Sequence, residues 1–183
     1  MTHESGEVVS MLMPEAPVLA AFTLGGLASL WDIRTSRIPN ALTFGSACVA
    51  FAFFLLSAGV RGFAISGAGW LFGLALFLPF FLLGGMGAGD VKLLAAFGAW
   101  LGPADVLWVA IYGCIAGGAL AILVGLARGY LRQALRNLGA LLRFWGTAGL
   151  RPLPEVTLEH GKGPRLAYAL PITIGMVAAL WLR

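Results

Sequence analysis

Six apolar runs, separated by short polar breaks, constrain this chain more than any other feature. They are Pro17–Trp31, Ala41–Val60, Ala64–Leu83, Val91–Leu101, Ala104–Ala127 and Leu166–Leu182. A helix needs about 20 residues to cross a hydrocarbon layer ~30 Å thick. The second, third and fifth runs reach that length, and the first and sixth fall slightly short. The fourth is clearly short, at roughly 17 Å by helix rise, and ends at Gly102-Pro103. Only 11% of the 183 residues are charged and 60% are apolar. Ordinary soluble domains carry about a quarter charged residues, so that class is excluded. The expected fold is all-α, a polytopic membrane bundle of about six transmembrane helices forming one domain over 1–183.

Residues 1–17 carry Glu4, Glu7 and Glu15 and no Lys or Arg. A cleaved secretory signal opens on a basic region, so the first run reads as a retained membrane helix. Six crossings with the N-terminus outside place Arg34, Arg37, Lys92, Arg128, Arg132, Arg136, Arg143, Arg151, Lys162 and Arg165 on the inner face. Only Arg61 and Arg183 fall outside, so ten basic residues stand against two. That is the bias expected of cytoplasmic loops. A re-entrant fourth run would send the Arg-rich 128–165 stretch outside, so the fourth run is read as spanning, in a thinned or protein-lined region.

The 128–164 connection is the one long polar stretch. Over Arg128–Trp145, Leu131, Leu135, Leu138 and Leu142 share one helical face, and Arg128, Arg132, Arg136 and Arg143 cluster on another. This pattern predicts a helix lying on the anionic inner leaflet. Gly146–Pro164, rich in proline and glycine, reads as a loop. The net charge of +4 follows this topology and gives no reason to invoke nucleic acid.

Ionisable groups close to lipid are costly to keep. Asp32 closes the first run, Asp90 opens the fourth, and the topology puts both on the cytoplasmic face. Each has a plain structural role open to it. Asp90 suits a helix N-cap, and Asp32 could pair with Arg34 or Arg37 among wet headgroups, at little gain. Gly87 and Gly89 favour a functional reading of Asp90, because a residue without a side chain lets another backbone approach the carboxyl. Pro39 disfavours helix at Ile38 and suits the first turn of the following helix, so Asp32–Asn40 is expected to be a short, stiff turn. Lys92 either snorkels to the headgroups or tunes the neighbouring carboxyl.

Other chemistries find little support. Cys48 and Cys114 lie in apolar runs, and the absence of any CxxC pair excludes a thiolate zinc site. Glu155, Glu159 and His160 have no second histidine or cysteine nearby, and no serine sits in a GxSxG elbow.

Asp32 with Arg37-Ile38-Pro39-Asn40, followed by Gly87-Ala88-Gly89-Asp90-Val91-Lys92-Leu93-Leu94, resembles the type IV prepilin peptidases. These are polytopic GxGD-type aspartic proteases of prokaryotic inner membranes. Arg165-Leu166-Ala167-Tyr168-Ala169-Leu170-Pro171 also looks like that family's last helix, so the resemblance covers most of 17–182. It implies that Asp32 and Asp90 are the catalytic pair, with Gly87, Gly89, Lys92, Ile38, Pro39 and Asn40 shaping the site. It implies a prepilin or pseudopilin substrate cut at the cytoplasmic face, with membrane lipid as the other partner and no cofactor or metal. The chain lacks the cytoplasmic insertion with two CxxC pairs found in the long forms that also N-methylate. It therefore resembles the short, peptidase-only forms of Tad-type (Flp) pilus systems. The competing reading is a non-catalytic transporter or an assembly protein of a pilus or secretion system, its acids serving as ion sites.

Overall fold

The computed structural model describes residues 15–129, 131–148 and 167–182. Among them are five helices, α1 (Ala16–Thr35), α2 (Asn40–Leu82), α3 (Ala88–Ala127), α4 (Leu131–Ala148) and α5 (Ala169–Trp181). No strand occurs among the described residues, in line with the all-α expectation. α1, α2 and α3 are long and apolar enough to cross a membrane, and α5 is a shorter apolar helix.

α1 starts with a proline in its first turn, where a missing N–H costs nothing. It runs past the expected end at Trp31 to Thr35 and stops where Ser36 turns left-handed, at φ 52° and ψ 31°. Asp32 therefore lies in the last turn of the helix rather than beyond it. Pro39 is extended, at φ −61° and ψ 135°, and caps α2 from outside rather than occupying its first turn.

The second and third apolar runs are two arms of α2, and the fourth and fifth are two arms of α3. Gly59 breaks α2 at φ 63°, ψ −153°, and Gly102 breaks α3 at φ 83°, ψ 173°. Only glycine occupies this region without serious strain. At Gly59 the chain reverses. The Phe51 ring lies 5.7 Å from Phe63 and 6.4 Å from Trp70, whereas a straight helix would hold Phe51 and Trp70 roughly 28 Å apart. α3 folds back at Gly102 in the same way, with Pro103 opening its second arm. Phe97 before the break and Gly113 after it both pack beside the middle of the same helix, α5, through the neighbourhood of Thr173 and Gly175.

The first arm of α3, residues 88–101, is the centre of the molecule. Every residue from Leu93 to Trp100 is buried. This accounts for the short fourth run, since the segment is lined by protein rather than lipid. Both arms of α2 are fastened to it. Ser66 donates to the Ala99 carbonyl at 2.7 Å, and the Trp100 indole donates to Ser46 Oγ at 2.9 Å. Gly69 and Gly98 meet backbone to backbone, so closely that a Cβ on either would strike the other's carbonyl. Such approach between small residues is how helices gain packing energy in lipid.

The outward faces are apolar. Leu56 and Trp181 are each 87% exposed and Val60 is 78% exposed, with many other large apolar residues at the surface. A patch of this extent on a soluble monomer would aggregate, and it suits contact with hydrocarbon. α4 begins at Leu131, later than the Arg128 expected from the pattern, because Gly129 turns at φ 64°. It also continues to Ala148, three residues into the stretch read as loop. The rest of that loop, the acidic N-terminal residues up to 14, and Glu155, Glu159 and His160 lie outside the described residues.

Candidate active site

A carboxyl group keeps its place inside a protein only if hydrogen bonds replace the water it has lost. Asp32 and Asp90 are only 7% and 8% exposed, so both face that requirement. Each meets it with a backbone N–H. Asp90 is the third residue of α3, and its Oδ2 accepts from the N–H of Gly87 at 3.3 Å. The N-cap is thus Gly87 rather than Asp90, and the aspartate reaches back to it, near the positive end of the helix. Asp32 Oδ2 accepts from the Ala169 N–H at 3.1 Å, across a separation of 137 residues. Among the described residues it makes no ion pair with Arg34 or Arg37, both of which are exposed.

The two carboxyls line one cavity of about 280 Å³ and interact electrostatically across it. At about 30 Å³ per water, that is room for several waters or a short stretch of peptide. The other lining residues are Ser36, Arg37, Ile38, Asn40, Gly87, Ala88, Gly89 and Lys92. Of the residues expected to form or shape the site, only Pro39 is not among them; it sets the direction in which α2 leaves the turn.

The wall has two halves, the turn after α1 and the turn before α3. They touch where Gly89 faces Ile38, so closely that a Cβ on Gly89 would come within 3.2 Å of the Ile38 Cβ. They are also joined by a hydrogen bond. Lys92 Nζ donates to Asn40 Oδ1 at 2.9 Å and lies 5.4 Å from the centre of the Phe44 ring. Half-buried and held by a neutral amide and an aromatic face, Lys92 spans the two halves rather than snorkelling away from them. Lys92 and Arg37 are the basic residues that line the cavity beside the two acids.

Sequence reasoning missed the contribution of α5. The group that reaches Asp32 is a main-chain N–H, which has no signature in residue type. Below it, Ser29 Oγ lies 3.0 Å from Thr173 Oγ1, and neither residue stood out in the sequence. No group of three or more metal-ligating side chains occurs among the described residues.

Helices of membrane-crossing length that bring two buried carboxyls into one pocket define a polytopic membrane protein with a paired-acid site. The chain belongs to the type IV leader peptidase family, whose pattern it matches over residues 19–122. Two similar proteins, from Burkholderia pseudomallei strains 1026b and K96243, are each described as prepilin leader peptidase/N-methyltransferase. Each is 38% identical over 136 residues, covering 68% of this chain and 43% of the relative. The chain therefore spans less than half the length of these curated relatives. No solved structure matches it.

Proposed function

We propose that this chain is an aspartic endopeptidase that removes the leader of type IV prepilins at the cytoplasmic face of a prokaryotic inner membrane. The observation that carries this reading is the convergence of Asp32 and Asp90 on one cavity, from helices far apart in sequence. Membership of the leader peptidase family supports the substrate class.

Two carboxyls sharing a small site hold one proton between them more readily than they both ionise. The ionised member takes a proton from a water lying between them, and that water attacks the scissile carbonyl. The protonated member polarises the carbonyl oxygen and then delivers its proton to the departing amine. No metal is needed, because the carboxyl pair both activates the nucleophile and stabilises the developing charge. The Gly87–Gly89 stretch presents little but backbone, which suits the approach of an extended substrate backbone.

The reversals at Gly59 and Gly102 turn three long apolar elements into five lengths of helix, and α5 makes a sixth. Six crossings with the basic residues inside put the cavity at the cytoplasmic end, where a prepilin leader remains while its apolar helix sits in the bilayer. α4, with its arginines on one face, would lie along the anionic leaflet. The absence of CxxC pairs from this sequence favours a peptidase without methyl transfer, and the resemblance to Tad-type forms favours a Flp-type prepilin as substrate.

The test is cleavage of a Flp-type prepilin in liposomes by the wild type, Asp32→Asn and Asp90→Asn. Wild-type cleavage that survives in neither variant, and is unmoved by EDTA, is the expected result. Retained cleavage in either variant removes that residue from the pair. Failure of the folded wild type on a panel of type IV prepilins overturns the peptidase reading.

A further inference from the structure

One face of α1 carries Gly25, Ser29 and Asp32, spaced at three and four residues, and that face meets Ala169 and Thr173 of α5. Its contacts form a polar seam in an otherwise apolar interface. The Thr173 hydroxyl lies 2.8 Å from the Ala169 carbonyl and 3.2 Å from the Gly25 carbonyl, so its single proton is directed to main-chain oxygen. With the Thr173 proton so directed, Ser29 is free to donate in the 3.0 Å contact between the two hydroxyls, in which either oxygen can be the donor. The Thr173 methyl fits over Gly25, where a Cβ would come within 2.6 Å of it, so the register between the helices admits little sliding. One turn further along, the same register brings the Ala169 N–H to Asp32. Ala169 is fully buried and is the first residue of α5, where an N–H has no partner within its own helix.

We propose that Ala169 is a positioning residue of the peptidase site, its N–H fixing the Asp32 carboxyl in the cavity, and that the Ser29–Thr173 contact sets the register that delivers it. The proposal rests on the peptidase reading above. A carboxyl oxygen that accepts a main-chain N–H is held in one rotamer, and its other oxygen is left to face the cavity. Hydrogen bonds to charged groups are worth about 1.5–3 kcal/mol, which corresponds to about 10- to 150-fold in rate if the bond serves the transition state alone.

The decisive variant replaces Ala169 in the full chain by lactic acid, an ester linkage that removes the N–H and leaves the methyl side chain in place. A fall in kcat of about tenfold or more, with KM within about twofold, is the expected result; an unchanged kcat overturns the proposal. Thr173→Val should lower kcat in the same direction and Thr173→Ser should restore it. A general loss of stability would not separate those two substitutions in this way.

A second measurement needs no substrate. Tyr168-Ala169 is the only Tyr-Ala pair in the sequence, so labelling tyrosine with carbonyl ¹³C and alanine with ¹⁵N isolates the Ala169 amide in an NMR spectrum of the micellar protein. Its proton resonance should move on Asp32→Ala and hold on Asp105→Asn. An Ala169 resonance indifferent to Asp32→Ala overturns the proposal even if prepilin is cleaved. A resonance that responds, in a protein that cleaves no prepilin, overturns the peptidase reading and leaves the hydrogen bond standing.

Discussion

Asn40 and Lys92 show how much of a site can depend on a single polar contact between turns. Their 2.9 Å hydrogen bond is a polar link between the start of α2, just after the turn that follows Asp32, and the second turn of the helix that carries Asp90. Asn40→Ala should slow prepilin cleavage about five- to tenfold, the kinetic equivalent of one hydrogen bond worth about 1–1.4 kcal/mol. Lys92→Met should slow it at least as much, since it removes the charge as well. Initial rates on a prepilin substrate check both, and unchanged rates would leave the contact without a part in the reaction. At this scale the sequence was informative where chemistry resides in side chains. The two aspartates, Ile38, Asn40, both glycines and Lys92 were legible because their residue types are unusual beside lipid or fall in a recognisable string. The Ala169 N–H was not legible, because every residue except proline carries one and only the tertiary fold decides which of them meets a carboxyl.

Among the helices, the fourth apolar run was the hardest to interpret, being too short for a span on length alone. The structure explains the deficit by burying Leu93 to Trp100 within protein, so that this arm is solvated by other helices. Its closest contact, Gly98 against Gly69, leaves no room for a methyl group. Gly98→Ala should therefore force the arms of α2 and α3 apart and cost about 1–3 kcal/mol, read as a lower unfolding temperature in detergent. Gly26→Ala, whose Cβ would meet nothing within 4 Å, is the matched control and should leave that temperature unchanged or slightly higher. Equal behaviour of the two variants would contradict the packing described. The sequence marked the positions of both reversals only as breaks between runs. The arms proved continuous up to single glycines because positive φ at one residue is enough to turn a chain, with no loop needed.

On the proposed arrangement of six crossings, the basic residues other than Arg61 and Arg183 gather on one face of the membrane. Six crossings predict that Arg61→Cys, in a Cys48→Ser/Cys114→Ser background, reacts with a membrane-impermeant maleimide added outside spheroplasts. Ser36→Cys and Gly129→Cys should react only once the inner face is opened. Labelling of Ser36→Cys from outside would invert the arrangement and move the cavity to the wrong side for a cytoplasmic leader. The overall class was legible from charge and apolar length because lipid imposes those two requirements on any chain. The order in which the helices pack was not, since it is set by contacts such as Ser66 to Ala99 and Ser29 to Thr173 that no periodicity announces. The bond between Asp32 and Ala169 carries a consequence for biosynthesis as well. The ribosome delivers the carboxyl early and its donor 137 residues later. Until that later turn has entered the bilayer and docked, the nascent chain holds an acid with nothing to orient it. On this view proteolytic competence arrives late in synthesis, and a chain truncated between the two points would be inert however well its earlier helices had inserted.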